Sequence, residues 1–319
     1  MQRSTVMAAD LAATVVEPDE ANGTVVFCLP GGGMSRHYFD LDGGDSDGTL
    51  SMAAHLAGQG FTVISIDHPG VRDSPAGCDG WELTPNYVAD RDAAAIIELH
   101  QRHPGPAIGV GHSTGAMLTV IAQGRHRCYD ALGLLGWSYS QRFGLPEMDA
   151  GLSDAERAVL GDADAIEEQL VWLTKQRFDD PRPPGSSAVW ELLIGGMQIS
   201  EQARTAISAS TSELLAVCGL AAILRGAGPH VAAIDVPVFL GFGECDITGN
   251  ARATAEEFGR SPDITLYELA AAGHNHNVAP NRSRLWNRFA RWADDVDIDS
   301  NTKGPHQVSA ATQSAQMDS

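Results

Sequence analysis

Residues 107–117 read Ala-Ile-Gly-Val-Gly-His-Ser-Thr-Gly-Ala-Met, so Ser113 stands between Gly111 and Gly115 where an apolar strand pattern gives way to an apolar helix. Such a chain reverses within a few residues, and the backbones pass closely only if Gly111 and Gly115 lack side chains. Ser113 is then forced to the tip of the turn, beside the unpaired, positively polarised N–H groups of the helix start. That is the chemistry of an activated nucleophile with an adjacent anion site. Gly44-Asp45-Ser46-Asp47-Gly48 matches the same Gly-x-Ser-x-Gly expression. No apolar strand precedes it and its aspartates would oppose an oxyanion, so it reads as a polar loop.

A serine hydroxyl needs a base, and the base needs a third group to hold it. Both are supplied further along the chain. A strand at 238–242 ends in Gly243-Glu244-Cys245-Asp246-Ile247-Thr248, which offers two carboxylates, Glu244 and Asp246. A strand at 264–269 is followed by Gly273-His274-Asn275-His276, which offers two imidazoles. In an open parallel sheet the loops after successive strands emerge at one edge, so serine, acid and histidine converge without being near in sequence.

In this arrangement the chain resembles the α/β-hydrolase superfamily from about residue 24 to residue 292, outside a central insertion. The matching segments are the elbow at Ser113, Leu29-Pro30-Gly31-Gly32-Gly33, and Ile66-Asp67-His68-Pro69-Gly70-Val71-Arg72-Asp73-Ser74. The resemblance implies the order nucleophile, acid, histidine, with Ser113, Asp246 and His274 in those roles in preference to Glu244 or His276. It also implies an oxyanion hole from the backbone N–H groups of Gly32 and Thr114, although Pro30 stands where the family often has histidine. Gly33, His112, Trp137, Tyr139 and His276 are the expected pocket residues. His68, Asp67 and Asp73 read as turn residues, and Cys245 as buried filler. The implied activity is hydrolysis of a small, largely apolar carboxylic ester or lactone through an acyl-enzyme on Ser113. The same triad also serves thioester and carbon–carbon bond hydrolysis, and a non-catalytic ligand-binding protein on this fold is the rival of another class. Family members with dehalogenase or epoxide hydrolase chemistry carry aspartate at the elbow.

The elements that position these residues follow a β-α alternation. Apolar, β-branched runs recur at 24–29, 61–66, 107–111, 131–137, 238–242 and 264–269, separated by helical spacing at 50–56, 87–100 and 116–123. The pattern predicts an α/β fold with a mostly parallel, doubly wound sheet, with one or two edge strands before residue 24. From 138 to 234 the strand pattern stops and helical segments at 165–173, 188–193 and 212–224 follow, with a capping-box spacing at 153–156 and a proline-rich loop at 179–187. This divides the chain into a hydrolase core (1–137 and 235–296), a helical cap insertion (138–234) and a tail (297–319) that reads as disordered.

With 319 residues and 43% apolar composition the chain can bury one large core. A formal charge of −20 argues against nucleic acid and anionic membranes as partners, leaving a small-molecule substrate and an open question of homo-oligomerisation. Five cysteines without CxxC spacing indicate neither a disulfide framework nor a zinc site, and the triad chemistry needs no cofactor or metal. No apolar run approaches a membrane span, so the expected location is the cytoplasm.

Overall fold

The computed structural model describes residues 1–139, 166–184, 193–224 and 227–296. Their principal elements are β1 (Gln2–Ala8), β2 (Leu11–Glu17), β3 (Val25–Leu29), β4 (Asp40–Asp45), β5 (Gly48–Ser51), α1 (Met52–Ala57), β6 (Thr62–Ile66), α2 (Pro85–Arg102), β7 (Ala107–His112), α3 (Thr114–His126) and β8 (Ala131–Leu135). After the insertion segment, which contributes α4 (Ile166–Lys175), α5 (Glu201–Ala209) and α6 (Ala216–Ile223), come β9 (Val238–Gly243), β10 (Ile264–Leu269) and α7 (Arg282–Asp295).

Eight strands form one sheet in the order β1-β2-β6-β3-β7-β8-β9-β10. From β6 to β10 every pairing is parallel, whereas β1, β2 and β6 pair antiparallel. The two strands before residue 24 thus form the antiparallel edge. Parallel strands buried on both faces need apolar residues at every position, and β3 shows how they are divided. Val25, Phe27 and Leu29 join the core with α2 and α3, while Val26 and Cys28 join the core with α1 and α7.

Two local readings change. The helical spacing at 50–56 is split, because Leu50 lies in strand β5, and Ser51, the last residue of that strand, caps α1, its Oγ accepting from the Ala54 N–H at 2.8 Å. The Gly-Asp-Ser-Asp-Gly segment at 44–48 is the tip of the β4–β5 hairpin. Ser46 is exposed there, but Asp45 turns inward to the buried guanidinium of Arg282 at 2.6 Å and accepts the Ser200 hydroxyl at 2.7 Å. That carboxylate ties α7, the hairpin and α5 together. The predicted capping box at 153–156, most of the helix at 188–193 and the tail at 297–319 lie outside the described residues. Helix α5 had no counterpart in the sequence reading; Ser200 caps it.

Candidate active site

Strand β7 runs into Ser113, which adopts φ 54°, ψ −122°, and α3 begins at Thr114. A positive φ on a non-glycine residue costs about 1–3 kcal/mol and persists only where the surroundings enforce it. They do so on both sides. A Cβ on Gly111 would lie 2.4 Å from Ala116 Cα, and one on Gly115 would lie 2.2 Å from the carbonyl oxygen of Leu29 and 2.4 Å from that of Pro30. The Ser113 N–H donates to Leu135 at the end of β8 (2.8 Å), so the half-buried serine sits between the ends of three neighbouring strands.

The glycine loop after β3 lies against the same helix start. A Cβ on Gly32 would stand 3.1 Å from Thr114 Oγ1 and 2.8 Å from a methyl of Leu214. Gly33 takes φ 75° and closes a turn in which Met34 N–H donates to Gly31 (3.1 Å). Behind this loop, His68 is fully engaged. Its Nε2 donates to the Pro30 carbonyl (3.0 Å), and its Nδ1 meets Asp92 at 2.7 Å. Burial opposes charge on His68, but Asp92 and the Pro30 carbonyl outweigh it and raise its pKa. His68 and Asp92 therefore form a buried hydrogen-bonded pair that braces the loop, which goes beyond a turn-forming role. Asp67 and Asp73 likewise pair with Arg36, and the buried Asp67 carboxylate also accepts the Arg36 N–H.

The loops after β9 and β10 bring Asp246 and two histidines together. Asp246 accepts from His274 Nδ1 at Oδ1 (2.7 Å) and from His276 Nε2 at Oδ2 (3.1 Å). Thr248 N–H reaches Oδ1 (3.1 Å) and Gly243 N–H reaches Oδ2 (3.4 Å). Burial opposes ionisation of this carboxylate, yet the charge and hydrogen bonds of the two histidines hold its pKa well below the usual range. Glu244 points elsewhere: its exposed carboxylate accepts the Ala271 N–H at 2.7 Å and staples the histidine loop.

Gly136, one residue after the partner of Ser113 N–H, is where the pieces meet. A Cβ there would fall 3.0 Å from the His274 ring and 3.3 Å from Asp246 Oδ2. His112 packs against the same histidines. Its Nε2 donates to the His274 carbonyl (2.9 Å), and its ring stacks on Tyr38 at 4.6 Å and lies 4.7 Å from the His274 ring. Burial, reinforced by His274 and His276, pushes the His112 pKa well down, so this imidazole is neutral.

Other expected pocket residues are drawn into packing. Trp137 is buried in the core and donates its indole N–H to Ala222 of α6 (3.3 Å). The backbone N–H of Tyr139 is held by Glu257, and a Cβ on Gly228 would touch the Tyr139 hydroxyl. Cys245 is exposed, contrary to the buried role read from sequence.

The insertion contributes contacts that the sequence did not reveal. Ser35 N–H donates to Ser210 (2.9 Å) and Ser212 N–H to Gly33 (2.8 Å), forming a short antiparallel bridge with the glycine loop. Arg72 donates to the carbonyls of Ala209 (2.6 Å) and Thr211 (2.7 Å) and fastens that bridge. On the other side, Asn275 N–H donates to Leu193 (3.0 Å), and a Cβ on Gly273 would overlap Ile194. The insertion therefore grips both the glycine loop and the histidine loop. Among the described residues, no group of three or more His, Cys, Asp or Glu side chains is arranged to hold a metal ion, and no helix is long and apolar enough to cross a membrane.

A doubly wound sheet thus carries a strained serine elbow, a glycine loop beside it and an Asp-His pair on the last two strand loops, the architecture of an α/β-hydrolase. Residues 25–284 match the model of the alpha/beta hydrolase family, and the chain belongs to that family, which makes it a hydrolase. Solved structures share the fold at low identity. An esterase from M. tuberculosis is 18% identical with a TM-score of 0.60, covering 92% of each chain. A thermostable carboxyl esterase from Bacillus coagulans is 17% identical with a TM-score of 0.59, covering 92% of this chain and 97% of that one. An E-2-(acetamidomethylene)succinate hydrolase is 18% identical with a TM-score of 0.58, covering 92% of this chain and all of that one. Comparison with curated protein sequences finds no match.

Proposed function

We propose that this hydrolase cleaves a small, largely apolar carboxylic ester or lactone through an acyl-enzyme on Ser113. The observation that carries the reading is the 2.7 Å contact of His274 Nδ1 with Asp246, placed at Gly136 beside the strained Ser113. Asp246 holds the imidazole so that its Nε2 takes the Ser113 proton as Oγ attacks the substrate carbonyl. The N–H groups of Gly32 and Thr114 receive the developing oxyanion, a contribution worth about 10²–10³ in rate per donor. His274 then returns the proton to the leaving alkoxide, and water, activated by the same imidazole, releases the acid. In a lactone the leaving oxygen stays tethered to the acyl group.

Apolarity is supported by Leu214, whose methyl stands over Gly32 where an acyl chain would lie. The segment 138–234 acts as a cap in this reading, because its bridge to the glycine loop and its contacts with the histidine loop roof the site. The test is treatment of the purified protein with a fluorophosphonate probe, with the adduct mapped by mass spectrometry in the wild type and in Ser113→Ala and Ser46→Ala variants. Labelling at Ser113 that disappears only in Ser113→Ala, followed by turnover of esters or lactones in preference to thioesters and diketones, is the expected result. An unlabelled Ser113, under conditions where a known serine hydrolase reacts fully, would favour the ligand-binding alternative.

A further inference from the structure

Asp246 is held by two imidazoles, whereas the proposed chemistry uses one. His274 occupies Oδ1 and His276 occupies Oδ2, both rings about as buried as the core. The two histidines approach the carboxylate through different nitrogens. His274 uses Nδ1, which leaves its Nε2 as the nitrogen remote from the acid. His276 uses Nε2, and its remaining Nδ1 is buried and has no hydrogen-bond partner, so it reaches no serine hydroxyl. His276 is thus excluded as the base by the direction of its ring.

Its position gives it a different task. Rotation of the Asp246 side chain about its terminal bond would carry Oδ1 away from His274. Each carboxylate oxygen has one ring N–H and one backbone N–H, but the backbone contact to Oδ2 is the long one, 3.4 Å from Gly243 against 3.1 Å from His276. The imidazole therefore supplies most of the restraint on Oδ2. His112 acts in parallel on the base itself, gripping the His274 carbonyl while its ring lies 5.4 Å from that of His276 in an edge-on contact.

We propose that His276 is a positioning residue of this site, its Nε2–H fixing the Asp246 carboxylate so that Oδ1 stays on His274. The inference rests on the serine-hydrolase reading above. Positioning of this kind acts on turnover and leaves ground-state binding alone, since no substrate contact is lost.

The side-chain geometry supplies its own discriminating variants. Glutamine carries its amide nitrogen as many bonds from Cβ as histidine carries Nε2, so His276→Gln keeps a donor for Oδ2. In His276→Asn the amide nitrogen matches the position of Nδ1 and falls short. His276→Leu removes the donor with little change in bulk. The experiment measures the fluorophosphonate labelling rate of Ser113 and, on an ester the wild type turns over, kcat and KM separately. Proton NMR of the downfield imidazole N–H region follows the two hydrogen bonds directly.

His276→Leu and His276→Asn are expected to lose about tenfold to a hundredfold in labelling rate and kcat at unchanged KM. His276→Gln should recover to within about threefold, with one of the two downfield resonances lost and that of His274 retained. Wild-type rates in His276→Leu or His276→Asn would overturn the proposal. So would equal losses in Gln and Asn, or a loss confined to KM, which would place His276 against substrate. If His276→Leu does not fold, the Gln and Asn pair still decides. A wild-type protein that leaves Ser113 unlabelled while showing both downfield resonances would sink the hydrolase reading and this one with it, whereas labelling with insensitivity to His276 sinks this one alone.

Discussion

Replacement of Gly115 by alanine tests whether the elbow and the glycine loop form one interlocked unit. The added Cβ would stand 2.2 Å from the Leu29 carbonyl oxygen and 2.4 Å from that of Pro30, and real Cβ atoms essentially never approach closer than 3.0 Å. The obstacles are backbone atoms of β3 and the loop, so no rotamer change relieves them. Helix start and loop must part by about 0.8 Å, the difference between 3.0 and 2.2 Å. Overpacking of this order costs about 1–3 kcal/mol of stability. The displaced atoms lie beside Gly31 and Gly32, and a misplacement near 1 Å at reacting groups costs about 10²-fold in rate. Gly115→Ala is therefore expected to fold with a lower urea midpoint and to lose about 10²-fold in labelling of Ser113. Gly259→Ala is the control, because that residue has φ −62° and nothing lies within 4 Å of the place an alanine methyl would take; it should be neutral or stabilising by up to about 1 kcal/mol. Wild-type labelling and an unchanged midpoint in Gly115→Ala would refute the interlock and with it the account of why glycine stands there.

Asp246→Asn should lower the labelling rate by about 10⁴-fold, because the amide favours the wrong imidazole tautomer, whereas Glu244→Gln, which still accepts the Ala271 N–H, should leave the rate unchanged. Arg36→Met strands the fully buried Asp67 carboxylate and is expected to cost about 3–5 kcal/mol by urea denaturation. Leu214→Ala opens space over Gly32 and should raise kcat/KM for bulky acyl esters relative to acetyl esters by about tenfold in a chain-length series. Two buried histidines with opposite shifts set a stability profile. Below about pH 6.5 the unfolded chain binds a proton that buried His112 refuses, so stability falls as pH drops, with a slope approaching about 1.4 kcal/mol per pH unit. Above that pH the unfolded chain releases a proton that His68 retains, so its contribution falls as pH rises through the folded-state value. Urea titrations should show His112→Gln flattening the acid limb and His68→Gln the alkaline limb.

Much of the sheet was legible because parallel strands buried on both faces must be continuously apolar, and 107–111 and 238–242 lie within a residue of the observed β7 and β9, while the edge strand β10 is half-exposed and coincides with the run read at 264–269. The edge strand β1 was less visible, since it is largely exposed and its pairing with β2, not its composition, makes it a strand. Leu50 was read into a helix because its spacing suits one, yet Ser51 stops the strand and starts α1 through a side-chain cap. The contacts of Leu193 with the histidine loop and of Ser210 and Ser212 with the glycine loop had no signal at all, for they are backbone bonds between segments more than 80 residues or about 180 residues apart.

From its sequence alone, the chain determines which residue types stand at the ends of which strands: a serine between glycines, a carboxylate after one strand, a histidine after the next. Those are local matters of side-chain volume, backbone freedom and strand periodicity. The tertiary structure alone decides among chemically equivalent neighbours. Asp246 meets the histidines while Glu244 faces solvent, and His274 offers Asp246 its Nδ1 where His276 offers its Nε2. Ring orientation and carboxylate direction depend on how two loops, each anchored to its own strand, pack against Gly136 and the insertion, and no spacing within either loop encodes that.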